Sequence, residues 1–74
     1  MNAPESDWIE VRLNGKDQRV PPNQNVAGLL AELGLDPTGV VVEIDGNILP
    51  ADQYQVTILT ATAQIEIVHF VGGG

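Results

Sequence analysis

The residues of this chain that are best suited to chemistry are the last three of its 74, Gly72, Gly73 and Gly74. Glycine loses more conformational freedom on ordering than any other residue, so a terminal glycine run adds nothing to a core. Such a run is either an inert, frayed end or a segment with a use. Without Cβ atoms, Gly72 and Gly73 can thread a narrow active-site channel in an extended conformation and present the Gly74 carboxylate.

A carboxylate at Gly74 is a poor electrophile, because attack on it must expel oxide. Adenylation by ATP converts it to an acyl-adenylate, and a sulfur nucleophile can then displace AMP. The glycine run therefore permits acyl chemistry at Gly74, carried out by a partner that supplies the activation. The same run is equally compatible with an inert tail, so the residues before it must decide between the two.

The rest of the chain has no recognisable catalytic constellation. His69 is the single histidine, it has no serine or carboxylate partner at a typical spacing, and there is no cysteine. The carboxylates lack the loop spacing of a calcium site. A phosphate-binding glycine loop precedes a helix, and no helix follows Gly74 in this sequence. We therefore predict that the chain is not an enzyme and binds no metal or cofactor itself.

Composition restricts the partners and the compartment. The chain fits one small domain, and its ten acidic and three basic residues give a formal charge of -7. This charge disfavours nucleic acid and anionic membranes. No apolar run approaches the roughly 20 residues of a membrane span, and the start MNAPESD is unlike a signal peptide. With no cysteine to oxidise, the chain suits a reducing cytosol. We predict a cytoplasmic monomer that binds neither nucleic acid nor membranes.

The first half of the chain predicts a hairpin and a helix. WIEVRL at residues 8–13 alternates as a half-buried strand does, Asn14-Gly15 suits a type I′ turn, and KDQRV at 16–20 forms the return strand. A helix of about ten residues follows, because apolar residues recur at helical spacing. These residues are Val26, Leu29, Leu30 and Leu33.

The ends of this helix are marked by local signals. Asn25 is the predicted N-cap, and Gly34 fits the left-handed position after the last turn, with Leu35 as the apolar residue that follows it. Pro37 prevents continuation. Gly28 lies inside the helix at a cost of up to ~1 kcal/mol, which we interpret as close approach of the helix to a sheet.

The second half predicts two short strands and a longer final one. VVVEI at 40–44 is a β-branched strand, Asp45-Gly46 forms a tight turn, and Pro50 ends an edge segment before a helical turn at 51–53. The final strand alternates over residues 64–71. One side carries Ile65, Ile67, His69 and Val71, and the other carries Glu66, Val68 and Phe70.

One helix and a mixed sheet can bury each other as two layers, with the final strand central. We therefore predict an α+β, β-grasp (ubiquitin-like) fold: a flexible N-terminal arm at 1–6, the domain at 7–71 and a flexible glycine tail at 72–74. If Ile65 and Ile67 face the helix, Val68 and Phe70 form an outward apolar patch flanked by Glu66. Such a patch predicts partner binding; the alternative is that the arm or a loop covers it.

The stretches NVAGLLAELGL, VEIDGNILP and IEIVHFVGGG resemble the ThiS family of sulfur carriers, over residues 9–74. The resemblance implies that a ThiF-like adenylyltransferase, using ATP, adenylates Gly74, the second glycine of a diglycine that begins at Gly73. A thiocarboxylate then forms with sulfur from a cysteine desulfurase. It donates this sulfur to thiazole synthase, ThiG, for thiazole formation in thiamine biosynthesis. Gly72 corresponds to an extra glycine common in the family.

The chain departs from the family pattern at 61–63, where Ala-Thr-Ala replaces an acidic-glycine turn, and at Ala51, where a basic residue is common. Both departures affect expected partner contacts more than the carrier role. Three alternatives stay open. A MoaD-like carrier for molybdopterin synthesis usually has a proline-rich approach to the glycines, which is absent here. A ubiquitin-like modifier would be joined through Gly74, and Lys16 is the only lysine. A binding module would have an inert tail.

Overall fold

The computed structural model of the protein describes residues 3–70 as five strands, one α-helix and three short 3₁₀ turns. In chain order the strands are β1 (Ile9–Leu13), β2 (Lys16–Val20), β3 (Val40–Ile44), β4 (Asn47–Leu49) and β5 (Gln64–His69), with α1 (Val26–Glu32) between β2 and β3. The 3₁₀ turns are Glu5–Asp7, Pro37–Gly39 and Ala51–Gln53.

The strands form one mixed sheet in the order β2-β1-β5-β3-β4. β1 pairs antiparallel with β2 and parallel with β5, whereas β3 pairs antiparallel with both β4 and β5. The final strand is therefore central, as predicted, and α1 packs on one face of the sheet. This two-layer arrangement is the α+β, β-grasp architecture expected from the pattern of elements.

Two tight turns connect the antiparallel pairs at either side of the sheet. Asn14 and Gly15 have φ of 50° and 81°, and Asp45 and Gly46 have φ of 51° and 86°. Positive φ at both central residues is the requirement of a type I′ turn, which suits the twist of the strands that it joins. Both turn predictions are confirmed.

The caps of α1 also agree with the sequence signals. The Gly28 N–H donates to Asn25 Oδ1 at 2.7 Å, which makes Asn25 the N-cap. At the other end, Gly34 has φ of 71°, and the N–H groups of Gly34 and Leu35 donate to the carbonyls of Ala31 and Leu30 at 3.0 and 2.9 Å. This pair of bonds is a Schellman motif.

The helix is shorter than predicted, and one member of its apolar stripe differs from the others. α1 has seven residues, because Leu33 is already the C-cap. Leu33 is 40% exposed, whereas Leu29 and Leu30 are at most 2% exposed. Leu33 keeps a helical backbone and the left-handed turn follows it at Gly34, so the fourth apolar position lies at the exposed end of the helix.

Gly28 is explained by the helix start, and our interpretation that it allows close approach to the sheet is wrong. A Cβ at Gly28 would lie 3.0 Å from Asn25 Oδ1 and 3.1 Å from Gln24 Nε2. These atoms belong to the capping residue and to its neighbour. The absence of a side chain at Gly28 therefore leaves space for the cap.

The core lies between α1 and the inner face of the sheet. Its largest fully buried side chains are Leu30, Ile65, Val11, Val26 and Val42. Burial of each such side chain contributes about 1.5–3 kcal/mol relative to an exposed position. Tyr54 and Leu59, in the irregular connection before β5, are 5% and 3% exposed and complete the core. The weak periodicity of that segment did not predict their burial.

Residues 3–8 make hydrogen bonds among themselves and accept one from a side chain of the sheet. Asp7 N–H donates to the Pro4 carbonyl at 2.8 Å within the first 3₁₀ turn, and Trp8 Nε1 donates to the Ala3 carbonyl at 3.3 Å. Arg19 of β2 donates to the Glu5 carbonyl. The flexibility of an arm at residues 1–6 stays a prediction.

Candidate functional site

In sequence, the glycine tail follows β5 after Phe70 and Val71. Gly72, Gly73 and Gly74 lie outside the described residues, so their predicted roles in acyl chemistry and threading stay predictions. The described chain continues to Phe70, whose N–H donates to the Gly39 carbonyl at 2.9 Å. Backbone hydrogen bonding thus holds the chain up to Phe70, the last described residue.

Asn14, in the turn between β1 and β2, holds the middle of β5. Its N–H donates to the Ile65 carbonyl at 2.8 Å, and its side-chain Oδ1 accepts from the Ile67 N–H at 2.8 Å. Asn14 Nδ2 also approaches the Ile67 carbonyl at 3.4 Å. These bonds continue the pairing of β5 beyond the end of β1, so β5 stays fixed on this side for two further residues.

Asp45, in the turn between β3 and β4, holds the start of β5 from the opposite side. Its N–H donates to the Gln64 carbonyl at 2.8 Å, and its carboxylate accepts from the Gln64 N–H at 2.9 Å. Both type I′ turns therefore contribute a side-chain contact to the same central strand. Sequence analysis assigned these residues to turns and missed their contacts with β5.

From Ile65 to Phe70 the side chains alternate between the two faces as predicted, whereas Val71, predicted on the inner side, lies outside the described residues. Ile65 and Ile67 are 1% and 8% exposed, whereas Val68 and Phe70 are 55% and 58% exposed. Glu66, which lies between Ile65 and Ile67 in sequence, is also exposed. These exposed fractions contradict the alternative that the described arm or a described loop covers Val68 and Phe70. Their role in binding a partner stays a prediction.

Cross-strand pairing adds three residues to this exposed surface. Val41 lies directly opposite Val68, and Glu43 lies opposite both Glu66 on β5 and Ile48 on β4. Ile48 is 68% exposed. Sequence analysis missed these neighbours because a single sequence does not give the register between strands. We call the six residues the outer patch: Val41, Glu43, Ile48, Glu66, Val68 and Phe70.

Asp36 and Thr38 form hydrogen bonds within the turn that carries Gly39, whose carbonyl accepts from the Phe70 N–H. The Thr38 N–H and hydroxyl donate to Asp36 Oδ1 at 2.9 and 2.8 Å, at the start of the 3₁₀ turn Pro37–Gly39. The backbone hydrogen bond from Thr38, and then the one from its hydroxyl, lower the pKa of the Asp36 carboxyl. A negatively charged cap at Asp36 thus stabilises the turn that ends at Gly39.

His69 lies on the helix side of the end of β5. It lines a shallow cavity of about 320 Å³ whose other lining residues include no serine or carboxylate, and a second one of about 210 Å³ whose lining includes Asp36. The other residues that line the first cavity are Leu13, Asn14, Leu33, Leu35 and Ile67. Among residues 3–70, no three histidine, cysteine, aspartate or glutamate side chains are grouped to hold a metal ion. None of the helices described over that range is long and apolar enough to span a bilayer.

Comparison with known proteins identifies the family. The ThiS family matches residues 11–74. The chain belongs to the ThiS family. This ThiS-family chain is also 38% identical over 65 residues to the sulfur carrier protein ThiS of Bacillus subtilis strain 168. The aligned region covers 86% of the chain and 98% of that protein. The resemblance found in the sequence is therefore confirmed.

Two thiazole synthases contain a region similar to this ThiS-family chain. The chain is 35% identical over 66 residues to the thiazole synthase of Magnetococcus marinus and 36% identical over 66 residues to that of Paramagnetospirillum magneticum. Each match covers 89% of the chain and 20% of the synthase. The chain therefore spans about one fifth of the length of these relatives.

Solved structures of a ThiS protein share the fold. The crystal structure of the thiamine biosynthesis protein ThiS from Geobacter metallireducens is 29% identical, with a TM-score of 0.76 over 89% of the chain and all of that protein. An NMR solution structure of a thiamine biosynthesis protein from the same organism gives a TM-score of 0.71. The predicted β-grasp fold, with its mixed sheet and single main helix, is confirmed.

Proposed function

We propose that this chain is a sulfur carrier of thiamine biosynthesis and a co-substrate of partner enzymes. The observation that carries the proposal is the ThiS-family match, which extends through Gly74. The similarity to the Bacillus subtilis sulfur carrier covers 98% of that protein, so it supports a role for the domain as a whole. Catalysis in this proposal belongs to the partners.

The reaction takes place at a free carboxylate of Gly74. A carboxylate oxygen attacks the α-phosphate of ATP in the active site of a ThiF-like adenylyltransferase, and pyrophosphate leaves. The persulfide sulfur of the donor then displaces AMP and leaves an acyl disulfide at Gly74, and a thiol reductant cleaves the S–S bond, is itself oxidised to a disulfide, and leaves Gly74 as a thiocarboxylate. A cysteine desulfurase is the proposed source of the sulfur. Gly72 and Gly73 thread the active site because residues without Cβ allow another backbone to approach closely.

The geometry of β5 supports delivery of the tail. β5 is the central strand, it is paired on both sides, and the Phe70 N–H is bonded to the Gly39 carbonyl. The described chain is therefore held by backbone hydrogen bonds up to Phe70, and we infer that a partner binding the residues beyond it loses less conformational entropy than one binding a segment that follows a long loop. The outer patch begins beside the same point, at Phe70, and is the proposed partner surface.

The proposed acceptor of the sulfur is thiazole synthase, ThiG. Two thiazole synthases contain a region 35% and 36% identical to this chain. A synthase that includes a region like this one supports a functional connection between the two proteins. We infer that the thiocarboxylate at Gly74 supplies the sulfur of the thiazole ring.

Intact-mass measurement tests this function directly. The chain is incubated with ATP, a ThiF-type enzyme, a cysteine desulfurase with cysteine, and a thiol reductant, beside a variant that lacks Gly73 and Gly74. We expect a mass increase equal to replacement of one oxygen by sulfur in the native chain and none in the variant. No increase with an active enzyme would contradict the proposal. Conjugates to lysine amines in a lysate would instead favour a ubiquitin-like modifier.

A further inference from the structure

Charged residues on the outer face of the sheet occur in directly opposed cross-strand pairs. Between β1 and β2, Glu10 lies opposite Arg19 and Arg12 lies opposite Asp17. Both pairs combine opposite charges, and Arg12 Nη1 lies 3.3 Å from Asp17 Oδ1. Opposite charges in such positions stabilise a sheet. This half of the face therefore balances its own charges.

The other half of the face contains a pair of like charges. Glu43 on β3 lies directly opposite Glu66 on β5. Side chains in this relation have Cβ atoms about 4.5–5.5 Å apart, and like charges there are destabilising. The one ion pair within residues 3–70 joins Arg12 and Asp17, so neither Glu43 nor Glu66 forms an ion pair with a residue in that range.

The basic residues of the chain do not relieve this repulsion. All three lie on β1 or β2, and Arg12 and Arg19 already face acidic residues. Lys16 lies opposite Leu13. This pair is adjacent to the outer-face pair Arg12 and Asp17, and successive residues of a strand alternate between faces, so Lys16 belongs to the other face. Within the described residues no basic side chain is therefore placed to balance Glu43 and Glu66, so their charges are left for solvent ions or for a partner.

The surroundings of the two glutamates indicate which kind of partner suits them. Val41 and Val68 form the next pair along the same two strands, and Ile48 lies beside Glu43. Val68 and Ile48 are 55% and 68% exposed. A protein that covers these apolar side chains also removes water from the carboxylates, which strengthens their attraction for a cation. A guanidinium suits this position because it is planar, weakly hydrated and able to bond two carboxylates.

We propose that Glu43 and Glu66 together bind an arginine side chain of the ThiF-type adenylating enzyme, whose apolar residues cover the rest of the outer patch. The inference rests on the proposed function, because the enzyme that activates Gly74 must cover the base of the tail at Phe70. The outer patch continues from Phe70 through Val68 to the two glutamates. The like-charged pair therefore destabilises the free carrier and stabilises its complex.

Opposite changes in stability and affinity distinguish this role from a structural one. Glu43→Gln and Glu66→Gln each keep the side-chain size and remove the repulsion, so we expect the thermal midpoint to rise by about 1–5 °C. Binding to the ThiF-type enzyme, measured by calorimetry without ATP, should weaken by about 10- to 100-fold. The native affinity should also fall more steeply with salt than that of either variant.

Glu10→Gln is the matched control, because Glu10 lies on the same face and its opposite neighbour is Arg19. This substitution should leave the thermal midpoint unchanged or lower it, and it should change the affinity by less than about twofold, as expected for an exposed pair. Equal affinities of the native chain and both patch variants would overturn the inference. A loss of affinity in Glu10→Gln equal to that in the patch variants would also overturn it, since the effect would then follow from net charge.

The intact-mass assay on the same samples separates this inference from the proposed function. A native chain that acquires sulfur while the patch variants bind as tightly as it does would overturn the inference alone. A native chain that binds and acquires no sulfur would contradict the carrier function, and the affinities would still test the arginine position. A native chain that does not bind the ThiF-type enzyme would overturn both.

Discussion

Asn14 and Ile67 lie 53 positions apart in sequence and are joined through both polar atoms of the Asn14 amide. The Ile67 N–H donates to Oδ1 at 2.8 Å, and Nδ2 approaches the Ile67 carbonyl at 3.4 Å. A turn side chain thus replaces the backbone partner that β1, ending at Leu13, no longer supplies. This contact keeps the central strand paired close to the origin of the glycine tail.

Asn14 adopts a positive φ in the turn and bonds Ile67 through its side chain, and two substitutions separate these roles. Asn14→Gly accommodates the φ of 50°, removes the side-chain hydrogen bonds and gives the unfolded chain more freedom, so we expect the free energy of unfolding to fall by about 1–2 kcal/mol. Asn14→Ala adds the strain of positive φ and should cost about 1–2 kcal/mol more. Urea denaturation measures both values. Unchanged hydrogen-exchange protection of the Ile67 amide in Asn14→Gly would contradict the role of this contact.

The Schellman motif at the end of α1 gives a second prediction. Gly34 has φ of 71°, and no atom lies within 4 Å of the position that a Cβ would occupy, so Gly34→Ala introduces backbone strain without a clash. We expect it to lower the free energy of unfolding by about 1–2 kcal/mol. Gly39→Ala is the matched control, because its position is equally open and has no positive φ. That control should be neutral or stabilising by up to about 1 kcal/mol. Equal effects of the two substitutions would contradict this explanation.

The Asp36 cap predicts a dependence of stability on pH. Hydrogen bonds from Thr38 lower the pKa of Asp36 in the folded chain. Its contribution is therefore fully present above the unfolded pKa of about 3.9 and is lost as the pH falls through the lowered folded pKa. Asp36→Asn keeps an acceptor for the Thr38 N–H and does not titrate. The thermal midpoint of the native chain relative to this variant should therefore fall below about pH 4. A difference in thermal midpoint between the native chain and Asp36→Asn that stays constant from neutral to acidic pH would contradict a stabilising role of the ionised Asp36.

The features that sequence analysis predicted correctly depend on neighbours in the chain. Asn14-Gly15, Asp45-Gly46, the Asn25 cap and the Gly34 terminus are each specified by a few adjacent residues and by the φ angles that they allow. The alternation of β5 similarly predicts which of its residues face the core. For these reasons the order of elements and the β-grasp fold were accessible from one sequence.

The features that sequence analysis missed depend on residues far apart in the chain. The opposition of Glu43 to Glu66 follows from the register of β3 against β5, which a single sequence does not specify. Leu33 is 40% exposed at the C-cap of α1, although its spacing fits the apolar stripe. Gly28 was misinterpreted because its crowding comes from side chains of the cap, which periodicity does not describe.

The apolar part of the outer patch gives the final prediction. Val68→Thr keeps a β-branched shape in β5 and replaces a methyl group by a hydroxyl at a position that is 55% exposed. We expect affinity for the ThiF-type enzyme to fall by roughly 3- to 30-fold, because a polar group is then buried in the complex. Phe70→Ser removes a larger apolar side chain and should weaken binding by about 10- to 100-fold.

Val56→Thr is the matched control for this prediction. Val56 is 69% exposed and lies in the connection between the 3₁₀ turn Ala51–Gln53 and β5, outside the outer patch. It undergoes the same chemical change as Val68→Thr, so affinity should stay within about twofold of native if the outer patch is the contact surface. Titration calorimetry of the four chains, with circular dichroism to verify folding, measures these effects. Folded Val68→Thr and Phe70→Ser chains that bind as tightly as the native chain would remove the apolar patch from the partner surface.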